Sequence, residues 1–482
     1  MTEVKTKRYL MNINGKWVGE DLDTLDVINP ANGTLAGNVP NGGEAAAKQA
    51  IDAAHTAFQS WSKTTAYERA GYLKRLHQLM LENQEELAQI MTLEMGKPIN
   101  ESRGEVNYAA SFIEWFAEEG KRMYGETIPT HVSGKRLQVW KKPVGVVCAI
   151  TPWNFPAAML TRKMGPALAA GCTVIMKPSG ESPLSAVKIM ELCEAAGFPK
   201  GVVNLVTGSS SKIATAMMAD DRVRKITFTG STEVGKLLIR QSADQVKRLS
   251  LELGGHAPLI VLDDADVDLA IKGVMASKFR NSGQTCICAN RIYVQAGIYD
   301  TFIEKFTEAA KQLKVGNGAD ESVNIGPLIN QAGLEKVNHH VTDATAKGAK
   351  VMTGGKQLTN QAGGVFYEPT VLKDVDQSMI VMQEETFGPI APVQKVATEE
   401  EAIKLANTTS YGLAAYVFTE NVARGTRVIE QLDFGIVGWN DGAPSAAQVP
   451  FGGMKESGVG REGGHEGIEA FIESQYVAIG ME

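Results

Sequence analysis

Cys286 and Cys288 stand one residue apart in "SKFRNSGQTCICANR", residues 277–291 of a 482-residue chain that has only five cysteines. Two thiols this close suggest a metal clip, a redox pair or a nucleophile with a neighbour. Zinc clips separate their cysteines by about two to four residues and add further Cys or His ligands. Here the separation is one and the seven histidines show no ligand pattern, so no metal is expected. A thioredoxin-like pair has two intervening residues. Gly-Gln-Thr before Cys286 lets a ligand approach the backbone, which favours a nucleophile. The competing reading is the common fate of free cysteine, a small packed core residue. Asn154 in "TPWNFP" and Glu252 in "LELGG" are two more residues whose chemistry could matter. An amide can steady a developing oxyanion, and a carboxylate can act as a base if burial raises its pKa. Each alone could equally be a turn residue or a solvated side chain.

Such residues need elements to position them. Apolar residues at helical spacing cover 43–60, about 67–95 and about 100–122. These read as packing helices without chemistry. From 144 to 254 the strands "VGVVCAI", "CTVIMK", "GVVNLVTG", "KITFTG" and "KRLSLELGG" alternate with helices, one of which ends at Gly171. That rhythm indicates parallel β-α-β units in a doubly wound sheet, with ligands beyond the carboxyl ends of the strands. The polar residues of interest there are Asn154, Lys177, Ser179, Gly230 and Glu252. No G-x-G-x-x-G follows the first strand. Instead "FTGSTEVG" places Gly230 and Gly235 at the opening of a helix, where a pyrophosphate would be favoured. A second α/β unit begins after about 256, with helices near 265–281 and 298–313. The hairpin-like stretch 125–143 interrupts the first unit and is expected to pair with the closing "EAFIESQYVAIGME".

Composition narrows the classes. Hydrophobic content of 44%, charged content of 21% and 49 glycines describe a soluble globular protein. A net charge of −7 argues against nucleic-acid binding. No apolar stretch is long enough for a signal peptide or a membrane span. An odd, thinly spread set of cysteines fits a reducing cytoplasm.

"TPWNFP", "FTGSTEVG", "LELGGHAP", "GQTCICANR", "EETFGP" and "PFGGMKESGVGREGG" occur in the order seen in the aldehyde dehydrogenase superfamily, which the chain resembles from about residue 10 to its end. The resemblance implies an α/β fold with a Rossmann-type dinucleotide-binding domain at 1–124 and 144–254. It also implies an α/β catalytic domain at 255–440 and a small β oligomerisation arm at 125–143 and 465–482, in a homodimer or homotetramer. Cys286 then matches the nucleophile, which forms a thiohemiacetal and, after hydride transfer to the nicotinamide, a thioester that water cleaves. Asn154 matches the oxyanion donor and Glu252 the general base. Ser231, with Gly230 and Gly235, would meet phosphate, and Lys177 the adenosine ribose. Trp153, Glu385 and Phe387 would hold the nicotinamide end.

In "MKPSGESP", Gly180 stands where NAD-specific relatives often carry glutamate. With Lys177 and Ser179 as donors, NADP is expected to be accepted and preferred over NAD, unless Glu181 reaches back. "TRK", "KFRN" and "GREGGHEGIE" look like the succinate-semialdehyde dehydrogenase branch. There, residues matching Arg162, Arg280 and Ser445 bind the distal carboxylate of the substrate. Some members of that branch silence the nucleophile through a disulfide, so Cys286 and Cys288 could form a redox switch, or Cys288 could be a packed core residue. The substrate alternative is another carboxylated aldehyde such as glutarate semialdehyde. A thiol hydrolase would need a histidine base, and none adjoins the cysteine motif; Glu252 argues against a coenzyme A-acylating relative, and an inactive binding protein would not need all three catalytic residues.

Overall fold

The computed structural model describes residues 8–358 and 363–481. Residues 1–7 and 482, which open the first expected domain and close the expected arm, lie outside the described residues. Five parallel strands form the centre of an eight-stranded sheet, in the spatial order Val203–Leu205, Thr173–Lys177, Val146–Ile150, Val223–Thr229 and Arg248–Glu252. The first three are buried at every residue, as strands covered on both faces must be. The chain steps outward from Val146–Ile150 to Val203–Leu205, then crosses back to Val223–Thr229 on the other side. Strand order therefore reverses between Val146–Ile150 and Val223–Thr229, and such a reversal opens a crevice beyond the carboxyl ends. The residues that follow those two strands are "TPWN" and "GSTE".

The hairpin of Met11–Ile13 and Lys16–Val18 extends one edge antiparallel, and Gly458–Val459 closes the other against Leu251 and Glu252. The chain beyond 440 thus returns to the first sheet. The second sheet has seven strands, all parallel except the edge strand Lys350–Thr353. Its strand Ala257–Val261, paired with Ala289–Gln295 and Ala414–Phe418, begins just after Arg248–Glu252 ends. The carboxyl end of one sheet therefore feeds directly into the amino end of the other.

Two sequence expectations need comment. The pattern near 67–95 is two helices, Ala66–Glu82 and Gln84–Met95, parted at Asn83, whose Nδ2 donates to the Leu79 carbonyl at 2.8 Å. Apolar periodicity runs through such a break and hides it. The 125–143 stretch does pair with the closing segment: Lys135–Pro143 lies antiparallel to Ile472–Gly480 in a separate three-stranded sheet with Glu126–Ile128. No described helix is long and apolar enough to cross a membrane.

The helix Ala158–Ala170 is buried along its whole length, Arg162 and Lys163 included, and packs on the helix Ile99–Glu119. Buried charge is costly unless paired. Where those partners come from shapes the site.

Candidate active site

Between the helix Val267–Lys278 and the strand Ala289–Gln295 the chain makes a turn through three successive left-handed residues, Asn281 (φ 50°), Ser282 (φ 56°) and Gly283 (φ 75°). Two are not glycine, a strain of about 1–3 kcal/mol each. The surroundings hold them there. The Asn281 N–H donates to Glu101 Oε2 at 2.7 Å, its Nδ2 to the Asn154 carbonyl at 3.0 Å, and Ser282 Oγ to the Gly326 carbonyl at 3.0 Å. The turn delivers Cys286 to the junction of two cavities. One, of about 250 Å³, is lined by Trp153, Asn154, Gly230, Ser231, Glu385 and Phe387. The other is lined by Tyr108, Phe155, Arg162, Arg280, Ser445 and Phe451. Only glycine fits at 255, because a Cβ there would lie 2.2 Å from the Cys286 carbonyl oxygen.

Asn154 is buried, and its Nδ2 donates to the Gln284 carbonyl at 3.0 Å, which leaves the second amide hydrogen for the cleft. Its own carbonyl accepts from Lys97 Nζ at 2.9 Å. Lys97 is paired with Glu105, both side chains fully buried. The other Glu105 oxygen accepts the N–H groups of Ala157 at 3.0 Å and Ala158 at 3.1 Å. It caps the Ala158–Ala170 helix, which has no side-chain cap of its own. The reading of 67–122 as chemically silent is therefore corrected. "GKPINESRGEV" carries Lys97, Glu101 and Glu105 beneath the site, and their charge within an apolar helical pattern was the available signal.

Glu252 is buried, and burial, reinforced by Glu462, pushes its carboxyl well above the usual range. Its Oε2 has no hydrogen-bond partner among the described residues. It does not line the cleft with Cys286. Instead its Oε1 lies 2.8 Å from the place a Cβ would take on Gly452. Glu462 pairs with Lys163, whose Nζ also donates to Thr229 Oγ1 at 2.6 Å, and with Arg162, whose Nε donates to Oε2 at 2.8 Å. Burial raises Glu462, but Lys163 and Arg162 together hold it below the usual range. The two arginines expected to meet a carboxylate thus differ in their surroundings. Arg162 is already engaged by an acid that the sequence reading passed over. Its Nη2 is 2.6 Å from the same oxygen, yet no hydrogen of that nitrogen is aligned with an acceptor.

The Cys286 thiol is pushed up to about 12 by burial, with Arg162 opposing. Cys288 lines neither cavity; its buried Sγ donates to the Lys278 carbonyl at 3.2 Å. Both cysteines are free thiols, and a bond between them requires Cys288 to leave that carbonyl.

The larger cleft has the features a dinucleotide needs. Ser231 caps the helix Thr232–Ser242, accepting the Val234 N–H at 3.4 Å, so a helix start with Gly230 faces the opening. Glu385 Oε1 accepts the Gly255 N–H at 3.1 Å, and burial raises its carboxyl to about 7. Phe387 adopts φ 56°, rare for a bulky residue, and sets its ring edge-on to Trp153 at 5.5 Å. Lys336, not singled out from sequence, lines the same cleft. Gly235 does not; a Cβ there would lie 2.5 Å from Leu253 Cδ2, so it serves close packing of the helix. Lys177 ends its strand, donating to the Pro178 carbonyl at 2.8 Å and to Ser210 Oγ, and burial lowers it to about 8. Ser179 Oγ accepts the Glu181 N–H at 3.3 Å, a Cβ on Gly180 would meet nothing within 4 Å, and Glu181 accepts from Asn330 Nδ2 at 3.2 Å. Among the described residues no cluster of three acidic, His or Cys side chains could hold a metal.

Comparison with known proteins adds to this geometry. The aldehyde dehydrogenase family description matches residues 17–477. A succinate-semialdehyde dehydrogenase of Escherichia coli, named for NADP(+), is 53% identical over 470 residues, covering 97% of each chain. A glutarate-semialdehyde dehydrogenase of Pseudomonas aeruginosa is 50% identical, covering 100% of this chain and 99% of the relative. The crystal structure of a succinate-semialdehyde dehydrogenase from Burkholderia pseudomallei superposes with a TM-score of 0.97 at 50% identity, with full coverage of both chains (100%).

Proposed function

The chain belongs to the aldehyde dehydrogenase family, and on that premise we propose that it oxidises succinate semialdehyde to succinate with NADP(+), for which NAD(+) can substitute. The observation that carries the substrate reading is Arg280. Its guanidinium lies 4.7 Å over the Phe155 ring, makes no ion pair among the described residues, and lines the cavity that ends at Cys286. A free guanidinium at one end and a thiol at the other select a short aldehyde with an anionic tail.

In the reaction, Glu252 takes the proton of the Cys286 thiol, the sulfur bonds to the carbonyl carbon and the oxygen takes the electron pair of the broken C=O π bond. The second Asn154 amide hydrogen and the Cys286 backbone N–H are the donors for that oxyanion. Bound NADP(+) supplies the hydride acceptor. Glu252 is the base for thioester hydrolysis; its unpartnered Oε2 leaves it free to turn from Gly452 toward the cleft. Trp153, Gly230, Ser231, Glu385 and Phe387 hold the cofactor from the nicotinamide end to the phosphates. Lys177 and Ser179 serve the adenosine ribose. Open space at Gly180, with Glu181 tied to Asn330, supports room for a 2′-phosphate without a like charge beside it. The reading carries with it a cytoplasmic homodimer or homotetramer acting in GABA degradation.

The Pseudomonas relative supports a second reading, glutarate semialdehyde, one methylene longer. Initial rates at 340 nm with both semialdehydes and butyraldehyde, each run with both nicotinamides, decide the matter. Succinate semialdehyde should exceed glutarate semialdehyde in kcat/KM by about tenfold or more, the discrimination a methylene allows. NADP(+) should exceed NAD(+). Equal kcat/KM for butyraldehyde and succinate semialdehyde would overturn the anionic-tail reading.

A further inference from the structure

The cavity that ends at Cys286 is lined by two residues whose buried hydroxyls have no hydrogen-bond partner among the described residues, Ser445 and Tyr108, and by Arg162, whose Nη2 is 2.6 Å from Glu462 Oε2. A buried hydroxyl that nothing meets is destabilising, so it has most to gain from a ligand that accepts from it. Two other buried tyrosine hydroxyls find carbonyls, Tyr416 donating to Ile287 at 2.6 Å and Tyr299 to Val393 at 3.3 Å, whereas the Tyr367 hydroxyl, which lines neither cavity at Cys286, has no partner among the described residues. Tyr108 lines the cavity, with its ring packed and its hydroxyl buried without a partner among the described residues. Four residues apart on one helix face, Tyr108 and Phe112 meet edge-on at 4.9 Å. The Arg162 guanidinium lies 5.7 Å from the Phe112 ring and 3.9 Å from Phe451. Two aromatic residues therefore fix the arginine plane, while its charge is partly answered by Glu462. A neutral donor beside it has more to contribute to an incoming anion than the paired guanidinium alone would suggest.

We propose that Tyr108 is a specificity-determining residue whose hydroxyl donates to the distal carboxylate of the substrate, beside Arg280, Ser445 and Arg162. This rests on the anionic-tail reading and deepens it. A carboxylate has about four lone-pair positions, enough to accept from both unpartnered hydroxyls and to meet Arg280 and Arg162 as well. An uncharged aldehyde of the same length would leave them unmet, so the residue acts on choice of substrate.

The test compares Tyr108→Phe, which keeps the ring contact with Phe112 and removes only the hydroxyl, with Arg280→Ala. The readout is the ratio of kcat/KM for succinate semialdehyde to that for butyraldehyde. Tyr108→Phe should lower this ratio about tenfold or more, the loss typical of a hydrogen bond to a charged group, through KM for the semialdehyde. If Arg280→Ala lowers the ratio and Tyr108→Phe leaves it within twofold, the role of Tyr108 is overturned while the anionic-tail reading stands. If neither variant moves the ratio, both fall together.

Discussion

At the scale of single residues, burial acts on Cys286, Glu252 and Glu385 in the same direction, with different consequences. It raises the thiol to about 12, so the resting nucleophile is a neutral thiol, and Arg162, the cation that opposes the shift, is already shared with Glu462. It raises Glu252, which suits a base that must hold a proton after taking one. For Glu385 the result lies within reach of experiment, because a carboxyl raised to about 7 titrates near neutrality. Below that pH it is protonated and loses much of its power to accept from ribose hydroxyls; above it, it is an anion that accepts strongly. The KM for NADP(+) should therefore fall as pH rises from about 6 to about 8, with aldehyde saturating. Glu385→Gln should give a raised KM with no such slope. A wild-type KM that stays flat across this range would mean that Glu385 does not hold the cofactor through its charge.

At the scale of elements, the site depends on a helix start that looks inert in sequence. Lys97, Glu101 and Glu105 reach three separate pieces: the Asn154 carbonyl, the Asn281 turn and the first N–H groups of the Ala158–Ala170 helix. Breaking one side of a buried pair costs about 3–5 kcal/mol, whereas replacing both charges by apolar groups is often near neutral. Glu105→Gln should therefore lower the apparent melting temperature and kcat together. Lys97→Met with Glu105→Leu should recover much of the melting temperature, while kcat stays low because only Asn281 Nδ2 then holds the Asn154 carbonyl. Recovery of kcat along with stability would reduce the pair to a packing role. This is also where sequence legibility ends. Strand–helix alternation exposed the doubly wound sheet, and "TPWNFP" and "FTGSTEVG" fall at its reversal of strand order, because local pattern dictates both. The Glu105–Lys97–Asn154 link and the Arg162–Glu462 pair join residues 57 and 300 positions apart, and only the packed helices bring them together.

At the scale of the whole molecule, one feature is incomplete in a single chain. The three-stranded sheet of Glu126–Ile128, Lys135–Pro143 and Ile472–Gly480 stands apart from both large sheets. Tyr476 pairs with Val139 and Ile128 with Leu137, so these apolar side chains share one face; Trp140 and Ile479 lie on the other. Trp140 is 47% exposed, Tyr476 62%, Ile128 39% and Ile479 38%. A small sheet with apolar residues open on both faces needs cover to be stable in water, and its outer strands offer unpaired backbone groups to a further strand. Self-association through this arm would supply both, since a second copy would bring the same apolar surface and the same free edge. Light scattering on the purified protein should therefore give two or four times the mass of one chain. Tyr476→Lys combined with Ile128→Lys, which sets like charges on one face, should shift the mass toward a single chain. A wild-type mass equal to one chain, or a double variant that assembles unchanged, would assign the arm some other role.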